Sequence, residues 1–350
     1  MKAQNRDVSI SIIRGIAMLM VIACHLCEEL STGMSGGKAD FFWRFGNYCA
    51  NGVQIFLFIS GYLYAGKDRY FGLRGERITF LGKSFAKILF PYYVYSFLVI
   101  LPVYARLQPD ALTASSVAGL LLTSDTIKGV HHLWFIPYIL VCYVLTPALY
   151  DIRTYAREKG ISALKVVVLL CVGTEVYCYF FSSFFIPEWI CVYGIGYFWQ
   201  DLCREAREKG WGKPALFVLF AATLATNVFR YLARYIMEEP LDTCLGGETV
   251  TRICNWSQVL FAVIFFMILH RKMKIGDLAD KVIAFSDKYS YTIYLAHMIY
   301  IKGPLSTLNL TACPALNLGV TIALVFASGV GLLYLCQGIR FVFAKGKARA

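Results

Sequence analysis

Charged side chains are scarce in this sequence of 350 residues: Asp, Glu, Lys and Arg together make up 16% of it, whereas 58% of the residues are apolar. A soluble globular domain usually carries about 25% charged residues, so this composition excludes that class. Internal repeats, low-complexity tracts and coiled-coil heptads are also lacking. We therefore predict an all-α, polytopic transmembrane helix bundle that forms one domain over residues 1–350, without an appended soluble domain.

Acidic residues are the scarcer kind of charge, with 22 Asp and Glu against 34 Lys and Arg, and the formal net charge is +12. Such an excess would suit nucleic acid if it formed a single patch. Instead, most basic residues fall in alternate segments between apolar stretches, which is the positive-inside pattern of a membrane protein. This pattern places both termini in the cytosol, makes the lipid bilayer the partner of the chain and excludes nucleic acid as a ligand.

Ten apolar stretches are long enough to cross a bilayer, counted at about 20 residues per span. They lie at 8–27, 47–66, 84–105, 133–150, 164–182, 184–201, 214–232, 255–270, 288–308 and 316–343. The first stretch lacks the features of a cleavable signal, because Arg14 interrupts its apolar run and no small-x-small site follows it. We expect it to remain as the first helix, and an even number of spans agrees with two cytosolic termini. Eleven spans or a re-entrant segment are alternatives, because 184–201 and 255–270 are short and 288–308 contains a proline.

Arg14 and His25 are the two ionisable residues inside the first apolar stretch. Charge at membrane depth is costly and is kept mainly where it faces the interior of a bundle. Eleven residues of α-helix turn through about 1100°, roughly 20° past three full turns, and rise about 16 Å. The spacing therefore predicts that both side chains leave the same face of the helix and point towards a cavity.

The twelve cysteines give no convincing metal site. Cys24 and Cys27 flank His25, but a zinc site normally needs four ligands and no second Cys/His cluster completes this one. We therefore predict no metal, and we interpret most other cysteines as small apolar packing residues. Cys244 and Cys254 share one expected outer loop, so a disulfide between them is a hypothesis.

Two acidic residues follow His25 closely. Glu28 and Glu29 stand three and four residues after it, the spacing that brings side chains of one helix together. Either carboxylate could orient the imidazole, or both could simply cap the outer end of the helix.

Three further clusters contain polar groups within apolar stretches. Ser60 precedes Gly61 in FLFISGY, where small residues either let helices approach or leave room for a ligand. His132 follows another histidine at the start of the fourth span, beside Trp134, a residue that commonly anchors at the membrane interface. His297 lies in SYTIYLAH, where a functional role and a role as a hydrogen-bonded core residue are equally compatible with the sequence.

Taken in order, several motifs resemble the acyltransferase-3 family of integral membrane O-acyltransferases. They are R-x10-H in the first span, FLFISGY in the second, a basic stretch running into Pro91-Tyr92-Tyr93, HLWF-PY at the start of the fourth span, and SYTIYLAH late in the chain. The resemblance covers nearly the whole chain. One difference is that Lys83 and Lys87 stand where such proteins often have arginines before the Pro-Tyr turn.

The resemblance implies an acyltransferase that transfers groups other than amino-acyl groups, in a multi-pass protein of the bacterial plasma membrane. His25 matches the catalytic histidine of the family and Arg14 its partner. The implied reaction is O-acetylation: an acetyl group passes from cytosolic acetyl-CoA to a hydroxyl of a carbohydrate, either an envelope polymer or its lipid-linked precursor. Peptidoglycan, antibiotics and amino-acid-derived compounds fit the sequence equally well as acceptors. An imidazole with a pKa of about 6.5 is suited to act as the base, either directly or through an acyl-histidine.

The donor would meet the inner basic residues first, and we predict that they bind its phosphates: Arg69, Arg74, Arg77, Lys83 and Lys87. Positive-inside topology alone also explains these charges. Arg14 could steady the pantetheine arm or pair with a carboxylate such as Glu175. Two competing classes are a transporter or flippase of an envelope precursor without catalysis, since a histidine-lined cavity also suits proton-coupled export, and a structural membrane subunit.

Overall fold

The computed structural model describes residues 7–66, 74–122, 127, 129–181, 185–270 and 276–347. Within these ranges the regular elements are helices, and the prediction of an all-α membrane bundle is confirmed. The α-helices are α1 (Val8–Thr32), α2 (Gly37–Cys49), α3 (Gly52–Ala65), α4 (Arg74–Tyr95), α5 (Leu101–Leu107), α6 (Ala114–Leu122), α7 (Phe135–Glu158), α8 (Ala163–Phe180), α9 (Pro187–Glu208), α10 (Gly212–Tyr235), α11 (Glu238–Leu245), α12 (Gly247–Leu269), α13 (Asp277–Ile301) and α14 (Pro314–Lys347).

In the described part of the chain, seven helical segments are long and apolar enough to cross a membrane. They are Val8–Thr32, Gly75–Leu107, His131–Glu158, Ala163–Phe180, Gly212–Tyr235, Gly247–Leu269 and Pro314–Lys345. Gly75–Leu107 is continuous because five π-helical residues, Ser96–Ile100, join α4 to α5.

The other three predicted spans correspond to α3, α9 and α13. Helix α3 has only 14 residues, about 21 Å of helix at 1.5 Å per residue, which is less than the hydrocarbon thickness of about 30 Å. Helices α9 and α13 are long enough, with 22 and 25 residues, but they carry several charged and polar side chains. Both helices have many buried residues, so protein surrounds much of their polar surface.

Contacts divide the chain into two compact units. Unit one contains α1, α2, α5, α6, α13, α14 and most of α4. Unit two contains α3, α8 to α12 and most of α7. The expectation of a single domain stays a prediction.

Helix α1 begins where the sequence places it. The Asp7 carboxylate accepts hydrogen bonds from the backbone N–H groups of Ser9 (3.1 Å) and Ile10 (3.4 Å), so the helix has an N-cap immediately before Val8. Such a cap satisfies amide groups that lack partners within the helix. The far end of α1 extends to Thr32, beyond the expected span, and Gly33 follows it as the C-cap.

Glycine brings α3 and α9 together in unit two. A Cβ atom at Gly61 would collide with the backbone of Tyr193, and one at Gly196 would collide with the backbone of Phe58. Close backbone approach through small residues is a common way for membrane helices to pack. Of the two roles considered for the Ser60-Gly61 pair, the structure therefore shows packing for Gly61, while Ser60 beside it is half-buried.

Candidate active site

Helices α1 and α13 of unit one lie side by side and run in the same direction. Three contacts establish this register: Arg14 with Asp287, His25 with His297, and Glu28 with Lys302. Each partner on α13 lies about 273 residues further along the chain. We call this row of contacts the α1–α13 seam. Because Arg14 and His25 both face α13, the prediction that they share one face of α1 is confirmed, while the prediction that they point towards a cavity stays a prediction.

The first contact of the seam is an ion pair. The Arg14 guanidinium donates to the Asp287 carboxylate, and 26% of each side chain is exposed. Glu175, which we considered as the carboxylate partner of Arg14, has other partners in unit two. It accepts hydrogen bonds from Arg252 (3.1 Å) and from the Trp256 indole (2.5 Å). That pairing of Arg14 was therefore wrong, because contacts between distant helices, rather than spacing along the chain, decide which carboxylate it meets.

The last contact of the seam, between Glu28 and Lys302, also includes His25. Its Nδ1 lies 3.1 Å from Oε2 of Glu28, and the same carboxylate oxygen accepts a hydrogen bond from Lys302 Nζ at 2.7 Å. Of the two acidic residues expected near His25, Glu28 is the one that contacts it. Lys302 stands at the C-terminal end of α13, where Gly303 packs against Ile299 and the helix ends.

Other histidines surround His25. Four of the five histidines of the chain lie in unit one, and their rings contact one another. The His297 ring stacks on His25 with centroids 5.4 Å apart and planes 28° apart, and the His131 ring meets His25 edge-on at 6.1 Å. His132 packs on His297 at 4.6 Å. We call these four rings the histidine cluster.

The two deepest rings of the histidine cluster have defined hydrogen positions. His132 Nε2 donates to the carbonyl oxygen of Leu295 at 3.1 Å, and His297 Nδ1 donates to that of Tyr294 at 2.5 Å. A carbonyl oxygen can only accept, so the neutral rings have their lone pairs on His132 Nδ1 and His297 Nε2. Both of these nitrogens are buried and have no hydrogen-bond partner among the described residues.

The turn that opens the fourth predicted span explains the position of His132. Residues His131–Trp134 form a 3-10 turn before α7 begins at Phe135. The turn directs His132 inward, where it is 1% exposed, and Tyr294 donates a hydrogen bond to its backbone carbonyl. Trp134 remains half-buried and packs edge-on against Tyr138.

One group of potential metal ligands adjoins the seam. Ligand atoms of Cys24, His25 and Glu28 all lie within 4.8 Å of one another. However, the Lys302 ammonium already occupies the Glu28 carboxylate, and this positive charge opposes a cation at the same place. Three ligands are also fewer than a structural zinc site requires. The prediction that the protein uses no metal stays a prediction.

The predicted donor-binding residues have different surroundings. Arg77 is already engaged by Asp151, with two parallel hydrogen bonds of 2.7 and 2.6 Å. Lys83 and Lys87 are exposed on α4. Arg69 and the side chain of Arg74 lie outside the described residues.

The hypothesised disulfide is absent. All twelve cysteines have free thiols, with Cys244 exposed near the end of α11 and Cys254 buried within α12. The expectation was wrong because the segment between the cysteines is largely helical rather than a loop, and it holds the two side chains on separate helices.

Sequence reasoning missed Asp287 and Lys302 as members of the site. Asp287 immediately precedes the predicted span 288–308 and Lys302 lies near the far end of that span, so neither residue stood out as a partner for the first span. The usable signal was that an arginine at membrane depth calls for a carboxylate, but many carboxylates in the chain met that description.

The fold and the seam define an all-α membrane protein with ionisable side chains gathered at a site inside one helical unit. The family model Acyl_transf_3, described as an acyltransferase domain, matches residues 7–339, and the chain belongs to that family. It is a membrane acyltransferase. Comparison with curated proteins and with solved structures gave no match.

Proposed function

We propose that the protein is a membrane O-acyltransferase, in the simplest case an O-acetyltransferase. It transfers an acyl group from cytosolic acyl-CoA to a hydroxyl of a carbohydrate or other cell-envelope acceptor in a bacterial plasma membrane, with His25 as the general base. The observation that carries this proposal is the arrangement around His25: one ring nitrogen engages a carboxylate, while neighbouring imidazoles contribute buried lone pairs.

The contact with Glu28 supports Nε2 of His25 as the nitrogen that takes the proton in this proposal. Since the Glu28 carboxylate also accepts from the Lys302 ammonium, it serves as an acceptor, and His25 Nδ1 carries the hydrogen. The neutral ring then has its lone pair on Nε2. A carboxylate on Nδ1 fixes the orientation of an imidazole and stabilises the imidazolium that forms during proton transfer, as in other histidine bases.

The reaction follows from that lone pair. His25 Nε2 takes the proton of the acceptor hydroxyl as its oxygen attacks the thioester carbonyl carbon. The carbon–sulfur bond breaks, and the coenzyme leaves as a thiolate with the electron pair of that bond. The imidazolium then returns its proton to the sulfur, which leaves an ester, free coenzyme A and neutral His25.

The two buried nitrogens of the histidine cluster that have no hydrogen-bond partner among the described residues favour an acceptor with hydroxyl groups. Buried polar atoms in folded proteins almost always have a hydrogen-bond partner, so an unpaired one calls for an explanation. His132 Nδ1 and His297 Nε2 can only accept in the neutral state. A hydroxyl donates, so an acceptor rich in hydroxyl groups would supply what these nitrogens lack.

A covalent route uses the same ring: His25 Nε2 would attack the thioester and carry the acyl group before transfer. Incubation with radiolabelled acyl-CoA in the absence of acceptor distinguishes the two routes. Label retained on wild-type protein but not on a His25→Ala variant indicates an acyl-histidine, and unlabelled protein that still turns over indicates direct transfer.

Donor phosphates are proposed to bind on the inner basic stretch, with Lys83 and Lys87 as its exposed members. Arg77 contributes less than expected because Asp151 occupies its guanidinium bidentately. Replacing Lys83 and Lys87 with glutamine should raise the donor KM without lowering kcat, whereas Lys165→Gln serves as a control for charge. An unchanged KM would remove both lysines from the site.

Envelope acylation in cells tests the function itself. Cells that make intact protein should acetylate an envelope glycan, and cells that make His25→Ala at matched membrane levels should lose that acetylation, since a general base contributes about 10²–10⁴-fold. Equal acetylation in both would remove the catalytic role of His25. A transporter without catalysis predicts that purified protein releases no thiol from acyl-CoA.

A further inference from the structure

A second cluster of charges lies in unit two, around Asp201 of α9. This buried carboxylate accepts hydrogen bonds from Arg153 (2.5 Å), Arg157 (2.8 Å) and Arg204 (2.6 Å), while Arg153 also donates to the carbonyl oxygen of Ala65. Three guanidinium groups thus share one carboxylate. Arg153 is only 4% exposed, whereas 44% of the Arg157 side chain and 54% of the Arg204 side chain are exposed.

The Asp201 cluster opens into a cavity of about 530 Å³. Glu205 also lines this cavity but is neutralised locally, because it accepts from Lys209 and Ser162, each at 2.5 Å. Burial alone would raise the pKa of the Glu205 carboxyl, which lies beyond the predicted span 184–201, but these hydrogen bonds lower its pKa to about 2. One further carboxylate, Glu208, lines the cavity, so its wall carries four basic side chains against three acidic ones and has a net positive charge.

A larger apolar cavity of about 990 Å³ shares Arg204 with the first one. Its lining comes from α3, α8, α9, α10 and α12 and is dominated by apolar side chains, among them Leu219, Val263 and Met267. Trp199 and Trp211 also line it, and tryptophan is typical of the boundary between headgroups and acyl chains.

We propose that the two cavities bind one anionic membrane lipid, with its phosphate against Arg157 and Arg204 and an acyl chain in the apolar cavity. Arginine is well suited to the phosphate because its planar guanidinium presents paired N–H donors. Basic pockets between membrane helices on the cytoplasmic side bind anionic headgroups in this way. The neighbouring apolar cavity favours a lipid over a nucleotide, whose phosphate would leave that cavity unfilled. This site is independent of the acyl-transfer proposal.

Lipid binding to the purified full-length protein tests the headgroup contact. Native mass spectrometry of detergent-solubilised protein titrated with dioleoylphosphatidylglycerol should show one retained lipid, and dioleoylphosphatidylcholine should bind more weakly. The Arg157→Gln/Arg204→Gln variant should bind the anionic lipid about tenfold more weakly or worse, since losing a charge-assisted hydrogen bond of about 1.5 kcal/mol corresponds to about tenfold in Kd. The Arg153–Asp201 pair stays intact in this variant and keeps the buried carboxylate neutralised.

A matched control removes the same charge elsewhere. Lys159 and Lys213 are exposed and line neither cavity, so Lys159→Gln/Lys213→Gln should bind phosphatidylglycerol as the wild type does. Equal loss in the control and in the arginine variant would reduce the effect to bulk charge and overturn the proposal. Equal binding of both lipids by wild type and arginine variant would overturn it as well.

The apolar cavity is tested by filling it. Ala215 lines the cavity, whereas Ala221 of the same helix is exposed and does not. Ala215→Phe should weaken binding of dioleoylphosphatidylglycerol, and Ala221→Phe should not. If coenzyme A displaces the lipid from wild type, and the arginine variant loses coenzyme A binding, the phosphate site belongs to a nucleotide and the lipid assignment falls.

Discussion

The α1–α13 seam and the Asp201 cluster differ in how they pair charged side chains. In the seam, each charged side chain faces one of opposite sign: Arg14 meets Asp287, and Lys302 meets Glu28. In the Asp201 cluster, three arginines share one carboxylate. Both arrangements pair charged side chains within the protein, but only the second gathers several guanidinium groups at the wall of a cavity.

This difference in charge balance indicates different tasks. An ion pair of one positive and one negative side chain holds two helices in register, and it requires no bound ion to neutralise its charge. A cluster of guanidinium groups with exposed members beside a cavity presents positive charge to a ligand. The seam therefore fits the positioning of His25, and the Asp201 cluster fits the recognition of an anion.

The largest expected effect on stability comes from breaking the seam at Arg14. Arg14→Gln leaves Asp287 without its partner, and we expect a loss on the order of 2–3 kcal/mol, because the penalty for an uncompensated, partly buried charge is large. The midpoint of thermal unfolding in detergent measures it. Adding Asp287→Asn to Arg14→Gln should recover part of the loss, and additive losses in the double variant would show that the two residues are not coupled.

The next effect concerns the helix that carries Asp201. Gly196→Ala places a Cβ against the backbone of Phe58, which cannot move aside, whereas Gly194→Ala meets only a side-chain atom of Leu170 at 3.5 Å. Overpacking of this kind costs about 1–3 kcal/mol. We expect Gly196→Ala to lower the unfolding midpoint and Gly194→Ala to leave it unchanged or raise it slightly. Equal midpoints for the two variants would argue against close packing of α3 on α9.

The contact between Glu28 and His25 has a smaller effect, and it acts on the rate. Glu28→Gln keeps the shape of the side chain but removes the charge that stabilises the imidazolium, so kcat should fall about tenfold, equivalent to about 1.4 kcal/mol. Glu29→Gln removes the same charge one residue further along α1 and should retain the wild-type kcat. Steady-state kinetics of acyl transfer measures both variants, and an equal fall in kcat would assign the effect to charge at the helix end.

The smallest effect is expected for the most exposed arginine of the Asp201 cluster. Arg204→Gln removes a side chain that is 54% exposed and shares Asp201 with two other arginines. Exposed ion pairs contribute less than about 1 kcal/mol. The unfolding midpoint should therefore change far less than for Arg14→Gln. Equal losses for these two substitutions would remove the distinction between the seam and the Asp201 cluster.

The sequence predicts one side of the seam and not the other. Helical periodicity is enough to place Arg14 and His25 on one face, and it identifies Glu28 and Glu29 as the acidic residues of α1 that can reach His25. The partners on α13 cannot be obtained in this way, because they lie about 273 residues further along and depend on which helices pack together. For the same reason Glu175 was considered as a partner of Arg14 and Asp287 was not.

The Asp201 cluster was missed for a different reason. Positive-inside topology already explains Arg153, Arg157 and Arg204 as ordinary cytosolic charges, so nothing in the sequence indicates that they converge. Only the packing of α7 beside α9 brings them to one carboxylate. The disulfide hypothesis for Cys244 and Cys254 failed because it predicted a contact that the structure does not form. It assumed a loop in a segment that folds mainly into helices.

The most direct measurement is the rate at which purified protein releases free thiol from acetyl-CoA in the presence of a hydroxylated acceptor. Wild type and His25→Gln are compared at equal unfolding midpoints, so that a difference in folding does not enter. If His25 Nε2 is the base, the substitution should abolish acceptor-dependent thiol release. Release by His25→Gln at the wild-type rate would contradict the role of His25.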